Sequence, residues 1–234
     1  MADLHGRTAM IIGASSGIGR RTAERFLAAG ANLGVVARRE ALLGELTGSG
    51  EALALIHPGD ASVESDVDRA FTALEKRFGP CEILVCCAGL AEPRPLVDTS
   101  FVDWRRAMAA NLDSVFLPVR RALPAMIAAG RGSIVLLASI SGVHGSSKFP
   151  GMVPYCTAKS GVIAFAEALA AEVGPSGVRV NALSPGSVDT EMLRAANPDA
   201  IPAMSPDEVA DAILFLISAQ SRPINGQNLH VYSS

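Results

Sequence analysis

The segment PYCTAKSG contains two side chains that could carry acid–base chemistry, Tyr155 and Lys159. Their spacing of four residues places them one above the other on the same face of a helix. A phenol has a pKa of about 10 and exchanges protons poorly at neutral pH, but a nearby ammonium stabilises the phenolate and lowers that pKa. Lowering it to about 7 requires roughly 4 kcal/mol of differential stabilisation. The pair therefore predicts a tyrosine that exchanges a proton with a substrate.

A serine precedes this pair at the end of the apolar run GSIVLLAS. Ser139 terminates the run directly, which ranks it ahead of Ser141 as the hydroxyl that donates to a substrate carbonyl oxygen. His144 lies between Ser139 and Tyr155 and is interpreted as a pocket wall or an exposed loop residue, because the Tyr/Lys pair already supplies acid–base chemistry.

The segment GASSGIG follows the first apolar run and supplies Gly13, Gly17 and Gly19. Glycine allows positive φ and close approach of the backbone to a ligand, and the helix that follows offers free N–H groups to a pyrophosphate. The spacing of these glycines differs from that of the common dinucleotide fingerprint. The prediction of a nucleotide site therefore rests on the position of the loop, which lies between a first strand and a first helix.

The second apolar run ends in VVARRE, where an NAD-specific site usually has an acidic residue. Arg38 follows Ala37 and can meet a 2′-phosphate, and charge-assisted hydrogen bonds of about 1.5–3 kcal/mol would favour NADP by roughly ten- to a hundredfold. Arg39 is interpreted as a solvated residue. Asp60 either binds an adenine amino group or caps the next helix, and both readings stay open.

Strand-like and helical patterns alternate along the whole chain. The predicted strands are TAMII, ANLGVVA, EALALIH, CEILVC, GSIVLLAS, VRVNALS and QNLHVY. Helices are expected over about 17–29, 63–78, 103–129, 155–173 and 207–218, the third interrupted by Pro118 and Pro124 and the last capped by Ser205. Continuous apolar strands followed by helices indicate an α/β fold with a doubly wound parallel sheet, whose ligands bind at the carboxyl ends of the strands.

Several motifs and residues follow one another along the chain in the order GASSGIG, Asp60, CCAG, Asn111, Ser139, YCTAK and NALSPGSVDT. In these features the chain resembles the short-chain dehydrogenase/reductase family of the classical type. The resemblance covers nearly the whole chain and implies a single Rossmann-type domain over residues 1–234, with about seven strands. It also implies an oxidoreductase that interconverts a ketone or aldehyde with an alcohol.

The resemblance assigns roles to matching positions. Tyr155 would be the general acid/base, Lys159 would lower its pKa and hold the nicotinamide ribose, Ser139 would orient the carbonyl, and Asn111 would hold a water that relays protons to Lys159. The remaining cofactor contacts would come from Gly13, Ser15, Ser16, Gly17, Ile18, Gly19, Arg38, Asp60, Ala88, Gly89, Pro185, Gly186, Val188 and Thr190. A basic residue at Arg38 implies NADP(H) rather than NAD(H), which agrees with the charge argument.

Three features depart from the family pattern. Cys86 and Cys87 stand where the family usually has two asparagines, and sulfur cannot reproduce the paired donor and acceptor of an amide. Adjacent cysteines on a strand fit poorly as a redox pair, and no further zinc ligands appear nearby, so no metal is expected. The segment after Thr190 is short for a substrate lid, and the ending HVYSS lacks the usual acidic Gly-Gly terminus.

Composition excludes several classes of partner. The net charge is −3, and the lysines and arginines are scattered, so no nucleic-acid footprint or membrane-binding face is read. No signal peptide is read, and four cysteines argue for reduced thiols, so a cytoplasmic location is expected. The family expectation is a homodimer or a homotetramer.

Two hypotheses follow. The first is an NADP(H)-dependent carbonyl/alcohol oxidoreductase, within which a 3-ketoacyl-thioester reductase and a small-carbonyl or sugar reductase are not separable by sequence. The second is a nucleotide sensor or scaffold of the same fold that binds NADP(H) without turnover. The complete Asn/Ser/Tyr/Lys set argues against the second.

Overall fold

The computed structural model describes residues 3–47 and 54–232. Within them, the strands are β1 Thr8–Ile12, β2 Asn32–Ala37, β3 Ala54–Pro58, β4 Ile83–Cys86, β5 Gly132–Leu137, β6 Val178–Pro185 and β7 Asn228–Val231. The α-helices are α1 Gly17–Ala28, α2 Glu40–Gly44, α3 Glu64–Phe78, α4 Phe101–Met108, α5 Ser114–Ala128, α6 Val153–Val173, α7 Glu191–Ala196 and α8 Pro206–Ile217.

All the strands lie in one parallel sheet with the order β3-β2-β1-β4-β5-β6-β7. The order reverses between β1 and β4, where Ile12 lies opposite Cys86. On the other side of β4, β5 pairs with β6 so that Leu137 lies opposite Leu183. The predicted doubly wound α/β class is confirmed, and the carboxyl ends of β1, β4 and β5 meet at one edge.

Apolar side chains cover both faces of the sheet. β1 is buried along its whole length, as expected for a strand covered on both faces. One core includes Met10, Phe71 and Val162 and lies under α3, α5 and α6, whereas the other includes Ile11 and Phe26 and lies under α1 and α8. None of the described helices is long and apolar enough to cross a membrane.

The long helix predicted over residues 103–129 is broken at a different place. Pro118 and Pro124 lie inside a continuous α5, where the buried face around Pro118 and Val119 packs on the sheet and holds the helix together. The break is instead a π-helical turn over Ala109–Asp113. Residues 51–53 of the third predicted strand lie outside the described residues, and the short helices α2 and α7 were not predicted.

Candidate active site

Helix α6 positions the two predicted acid–base residues. Its first turn carries Pro154, which suits a position without an intrahelical N–H bond. Tyr155 is half-buried and Lys159 is 2% exposed, and the Lys159 Nζ lies 5.8 Å from the centroid of the phenol ring. The same Nζ donates a hydrogen bond to the Leu137 carbonyl at 2.7 Å. The ammonium is therefore tied to the end of β5 and lies over the tyrosine.

Burial has the largest effect on the pKa values of Lys159 and Tyr155. It lowers the pKa of Lys159 to about 8, and the thiols of Cys87 and Cys86 act in the opposite direction. Burial also raises the pKa of Tyr155, which a side-chain hydrogen bond with Ser139 partly offsets. The lowered phenol pKa expected from the sequence is therefore not produced by the protein atoms alone, since burial outweighs the help from Ser139.

Ser139 lies two residues after the end of β5 and is 8% exposed. Its Oγ accepts a hydrogen bond from the Ser141 N–H at 3.1 Å, and its side chain is the one that interacts with the Tyr155 phenol. The structure thus brings Ser139, rather than Ser141, to the phenol. His144 is exposed in the loop that follows.

The loop after Ser139 is held by a lysine that no sequence motif indicated. Lys148 donates from Nζ to the carbonyls of Ser141 and Val143 at 2.7 and 2.6 Å, and to the Ser146 hydroxyl at 2.8 Å. A single cation in a loop carries no spacing signal, so only the folded loop shows that Lys148 organises it.

Asn111 lies in the π-helical turn and is fully buried. Its Nδ2 donates to the carbonyls of Leu90 and Ala107, both at 2.9 Å, and its Oδ1 accepts from the Leu90 N–H at 3.0 Å. The side chain therefore fixes the loop after β4. The water-holding role implied by the resemblance stays a prediction.

The glycine loop is built by close backbone contacts. Gly13 has a φ of +86°, and a Cβ there would lie 2.5 Å from the Ala88 nitrogen. A Cβ at Gly19 would lie 2.2 Å from the Gly13 oxygen and 3.1 Å from the Cys87 Cβ. Ser16 precedes α1 in an extended conformation without a side-chain capping bond, so the first turn of α1 offers its N–H groups to an anion. These features fit a dinucleotide pyrophosphate, and Ile18 is half-buried within the same turn.

Two further predicted positions lie beside this loop. A Cβ at Gly89 would lie 3.0 Å from the Asn111 Oδ1 and 3.5 Å from the Lys159 Nζ, so the backbone at Gly89 packs closely against both side chains. Thr190 caps α7 by accepting from the Leu193 N–H at 3.2 Å, and its Cγ2 would lie 3.1 Å from a Cβ at Gly17. The turn after β6 therefore reaches the glycine loop.

The rest of that turn is anchored to the sheet. Pro185 ends β6, and the Gly186 N–H donates to the Val231 carbonyl at 2.9 Å. Val188 is buried and forms a bridge with Met204. These contacts place Pro185, Gly186 and Val188 in the turn as predicted, and their cofactor roles stay predictions.

The two arginines after β2 are placed differently from each other. Arg38 is exposed and has no hydrogen bond or ion pair among the residues described. Arg39 is exposed, as the sequence interpretation of a solvated residue requires, and it also donates to Ser15 Oγ at 3.2 Å, to Ser16 Oγ, and to Glu191 Oε2 at 2.7 Å. The sequence did not indicate these bonds, because Glu191 is distant from Arg39 along the chain.

Asp60 lies in the turn between β3 and α3. Its Oδ1 accepts from the Ser62 N–H at 2.9 Å and from the Ser62 hydroxyl at 2.7 Å. Its backbone N–H donates to Asp66 Oδ2 at 2.8 Å. The carboxylate thus orders the turn that leads into α3, and its predicted contact with adenine stays a prediction.

The thiols that replace the two family asparagines are free and enclosed. Cys86 is 1% exposed, and Cys87 is half-buried beside Gly19. Burial raises the pKa of Cys87 to about 12 and that of Cys86 well above its usual value. Both sulfurs are therefore protonated at neutral pH, and across residues 3–47 and 54–232 no cluster of His, Cys, Asp or Glu could hold a metal ion.

Two cavities differ in whether predicted site residues line them. One of about 280 Å³ opens between α3 and α5 beside Val67, Leu117 and Arg120, and none of its lining residues belongs to the predicted site. A second of about 20 Å³ lies beside Tyr155 and is lined by Arg94 and Asp103 among others. Of the two, only the second is lined by a residue of the predicted acid–base pair, Tyr155.

Comparison with known proteins gives the family of this chain. A family model described as enoyl-(acyl carrier protein) reductase matches residues 13–233. The 3-oxoacyl-[acyl-carrier-protein] reductase FabG of Escherichia coli K12 is 33% identical over 98% of this chain and 97% of that protein. The chain belongs to the short-chain dehydrogenase/reductase family. It is therefore an oxidoreductase of the class that acts on carbonyl and alcohol groups.

Other members of the short-chain dehydrogenase/reductase family match over similar lengths. The D-threitol dehydrogenase of Mycolicibacterium smegmatis is 35% identical over 97% of this chain and 91% of that protein. A solved structure of 3-ketoacyl-(acyl-carrier-protein) reductase from Brucella melitensis, complexed with NADH, is 33% identical with a TM-score of 0.89 and covers 97% of both chains.

Proposed function

We propose that this short-chain dehydrogenase/reductase interconverts a ketone or aldehyde with an alcohol, with NADP(H) as cofactor and Tyr155 as general acid/base. The observation that carries the proposal is the grouping of three side chains: the Tyr155 phenol interacts with the Ser139 side chain, and its ring centroid lies 5.8 Å from the Lys159 Nζ.

The chain's own residues divide the proton chemistry. The bound nicotinamide ring supplies the hydride in reduction and accepts it in oxidation. Tyr155 gives its hydroxyl proton to the carbonyl oxygen in reduction and takes it back in oxidation. Ser139 donates a hydrogen bond to the same oxygen as negative charge develops there. Lys159, held by the Leu137 carbonyl, stabilises the phenolate that Tyr155 becomes.

The preference for NADP(H) rests on charge. Arg38 and Arg39 follow β2 without an acidic residue at Ala37, and Arg39 reaches the glycine loop. Two cations and no carboxylate at the end of β2 favour a 2′-phosphate over a 2′-hydroxyl. A clear preference for NADH over NADPH in steady-state assays would overturn this part of the proposal.

A 3-ketoacyl thioester is a second candidate for the substrate. The likeness to FabG of Escherichia coli favours it, and the short segment after Thr190 suits a bulky or tethered substrate. NADPH oxidation against ketones, aldehydes, quinones, sugars, 3-ketoacyl thioesters and enoyl thioesters distinguishes the candidates. The enoyl thioesters test the reduction named in the description of the family model. The sensor or scaffold hypothesis predicts binding with no turnover in any arm.

Replacement of Tyr155 by Phe tests the assignment of the general acid/base. Removing one hydroxyl should lower kcat by roughly 10²–10⁴, the usual contribution of general acid–base catalysis, while NADPH binding measured by fluorescence stays near the wild-type value. Tyr232→Phe is the matched control, because Tyr232 is exposed and the variant keeps the Cβ that packs on Gly186. A Tyr155→Phe enzyme with wild-type turnover would remove the assignment.

Three properties of the whole chain stay proposals. A single domain over residues 1–234 is supported by the one sheet. A cytoplasmic location is supported by the four free thiols Cys81, Cys86, Cys87 and Cys156. A homodimer or homotetramer is supported by exposed apolar side chains near the start of α4, among them Val97 and Phe101.

A further inference from the structure

An ion pair crosses the glycine loop. Arg39, just before α2, donates from Nη1 to the carboxylate of Glu191 at 2.7 Å, and Glu191 is the first residue of α7. The same guanidinium donates from Nε to Ser15 Oγ at 3.2 Å and from Nη2 to Ser16 Oγ. One arginine thus joins the loop between β1 and α1 to the helix that follows β6.

The carboxylate of Glu191 occupies a place suited to an anion. It lies on a guanidinium that also holds two hydroxyls of the loop before α1, and α1 begins without a side-chain cap. Arg39 and, more weakly, Arg194 lower the pKa of Glu191, so the group is ionised at neutral pH. The neighbouring Thr190 packs on the glycine loop, which keeps Glu191 close to it.

We propose that Glu191 is an internal competitor for the 2′-phosphate of the dinucleotide, with its carboxylate holding the arginine that this phosphate would otherwise bind. The inference rests on the proposed function for its cofactor, but it concerns Arg39 and Glu191, which lie outside the proton chemistry of Tyr155. Because one guanidinium cannot satisfy both anions fully, the free energy of the ion pair is subtracted from the binding of the phosphate. Glu191 thereby reduces the selectivity for a 2′-phosphorylated cofactor.

The size of the effect follows from exposure. The side chains of Arg39 and Glu191 are 48% and 60% exposed, so water screens their attraction. Exposed ion pairs of this kind change an equilibrium by about two- to fivefold. Removing the charge of Glu191 should therefore tighten binding of a 2′-phosphate by roughly that factor, most clearly at low ionic strength.

Isothermal titration calorimetry of the full chain tests the proposal with two probes, adenosine 2′,5′-bisphosphate and adenosine 5′-monophosphate. Glu191→Gln should bind the bisphosphate about two- to fivefold more tightly than wild type and leave the monophosphate within error. Arg39→Gln should weaken the bisphosphate, and adding Glu191→Gln to Arg39→Gln should then have no effect. Glu64→Gln is the matched control, since Glu64 forms an exposed ion pair with Arg120 that no predicted site residue shares.

The outcomes separate this proposal from the proposed function. Unchanged bisphosphate binding in Glu191→Gln, or equal tightening of both probes, would overturn the role of Glu191 whatever the activity of the enzyme. A selective gain in a protein without reductase activity would support the role and remove the proposed function. Wild-type protein that binds neither probe would contradict both. Melting curves of each variant verify that it is folded.

Discussion

At the scale of single residues, Lys159 carries a charge that its surroundings oppose. The side chain is 2% exposed, and burial lowers its pKa to about 8. The hydrogen bond to the Leu137 carbonyl and the nearby thiols stabilise the ammonium and offset part of this effect. An exposed lysine in the unfolded chain has a pKa of about 10.4. The folded protein therefore holds a cation beside the Tyr155 ring at a cost in stability, in the position that the proposed role of Lys159 requires.

Replacing Lys159 by Met should expose that cost. Below pH 8 the folded and the unfolded protein both carry the ammonium, so the full cost of burying it is present. Between pH 8 and about 10.4 the unfolded chain binds more protons than the folded protein. The contribution of Lys159 to stability therefore rises with pH in this range. We expect Lys159→Met to raise the free energy of unfolding by about 1–3 kcal/mol at pH 7, allowing for the lost bond to Leu137, and by less at pH 10.

Urea unfolding of wild type and Lys159→Met at several pH values measures the difference in their free energy of unfolding. The buried thiols titrate in both proteins, so their contribution largely cancels in this difference. Lys76→Met is the control, because Lys76 is exposed on α3 and should show no pH-dependent difference. A Lys159→Met variant that is less stable than wild type at pH 7, or whose difference is constant with pH, would contradict the argument.

At the scale of elements, the π-helical turn between α4 and α5 determines the shape of the site. It directs Asn111 inward, where the amide bonds both backbone groups of Leu90 and the Ala107 carbonyl. Replacing Asn111 by Ala leaves these three groups without their side-chain partner. The expected loss in the free energy of unfolding is about 2–4 kcal/mol, because unpaired buried polar groups are costly.

Chemical denaturation of Asn111→Ala tests the role of the turn. Asn32→Ala serves as the control, since the Asn32 side chain makes a single exposed hydrogen bond of 3.4 Å to the Gly6 carbonyl. Equal stability of Asn111→Ala and wild type would show that the loop after β4 is held by other contacts.

The elements that sequence could predict are those with a strong period. The apolar runs of β1 and β5 and the long pattern of α6 need only their own residues, and the structure places them where they were expected. The π-helical turn left no such signal, because one extra residue in a helical turn does not change which residues are apolar. The bond from Arg39 to Glu191 was equally hidden, as it joins two elements that meet only in the folded chain.

At the scale of the whole molecule, the sheet order explains why residues distant in sequence form one site. β1, β4 and β5 are neighbours, so the glycine loop, Gly89 and Ser139 follow adjacent strand ends. The turn after β6 brings Thr190 to Gly17 from the next strand along. Sequence order alone predicted the strands and their class, whereas the switch between β1 and β4 brings Gly13 of the glycine loop against Ala88, which follows β4.

The segment before α4 and the first turn of α4 leave apolar side chains in solvent. Val97 is 93% exposed, and Phe101 and Val102 are each 74% exposed. Large exposed apolar side chains of this kind mark an interaction site, and the proposed homo-oligomer supplies a second copy of the chain to cover them. Wild-type protein should therefore elute in size-exclusion chromatography with light scattering at two or four times 24.2 kDa.

Introducing charge into this surface tests whether it is the one buried between copies. Val97→Asp combined with Val102→Asp should shift the species toward lower mass, because two carboxylates would have to be desolvated without partners in an interface. Val63→Asp is the control, since Val63 is 44% exposed in the turn before α3 and lies outside this surface. A monomeric wild type would contradict the oligomer, whereas an unchanged mass in the double variant would place the interface on another face. Nucleotide binding measured by calorimetry should persist in the smaller species, because neither Val97 nor Val102 is among the residues predicted to bind the cofactor.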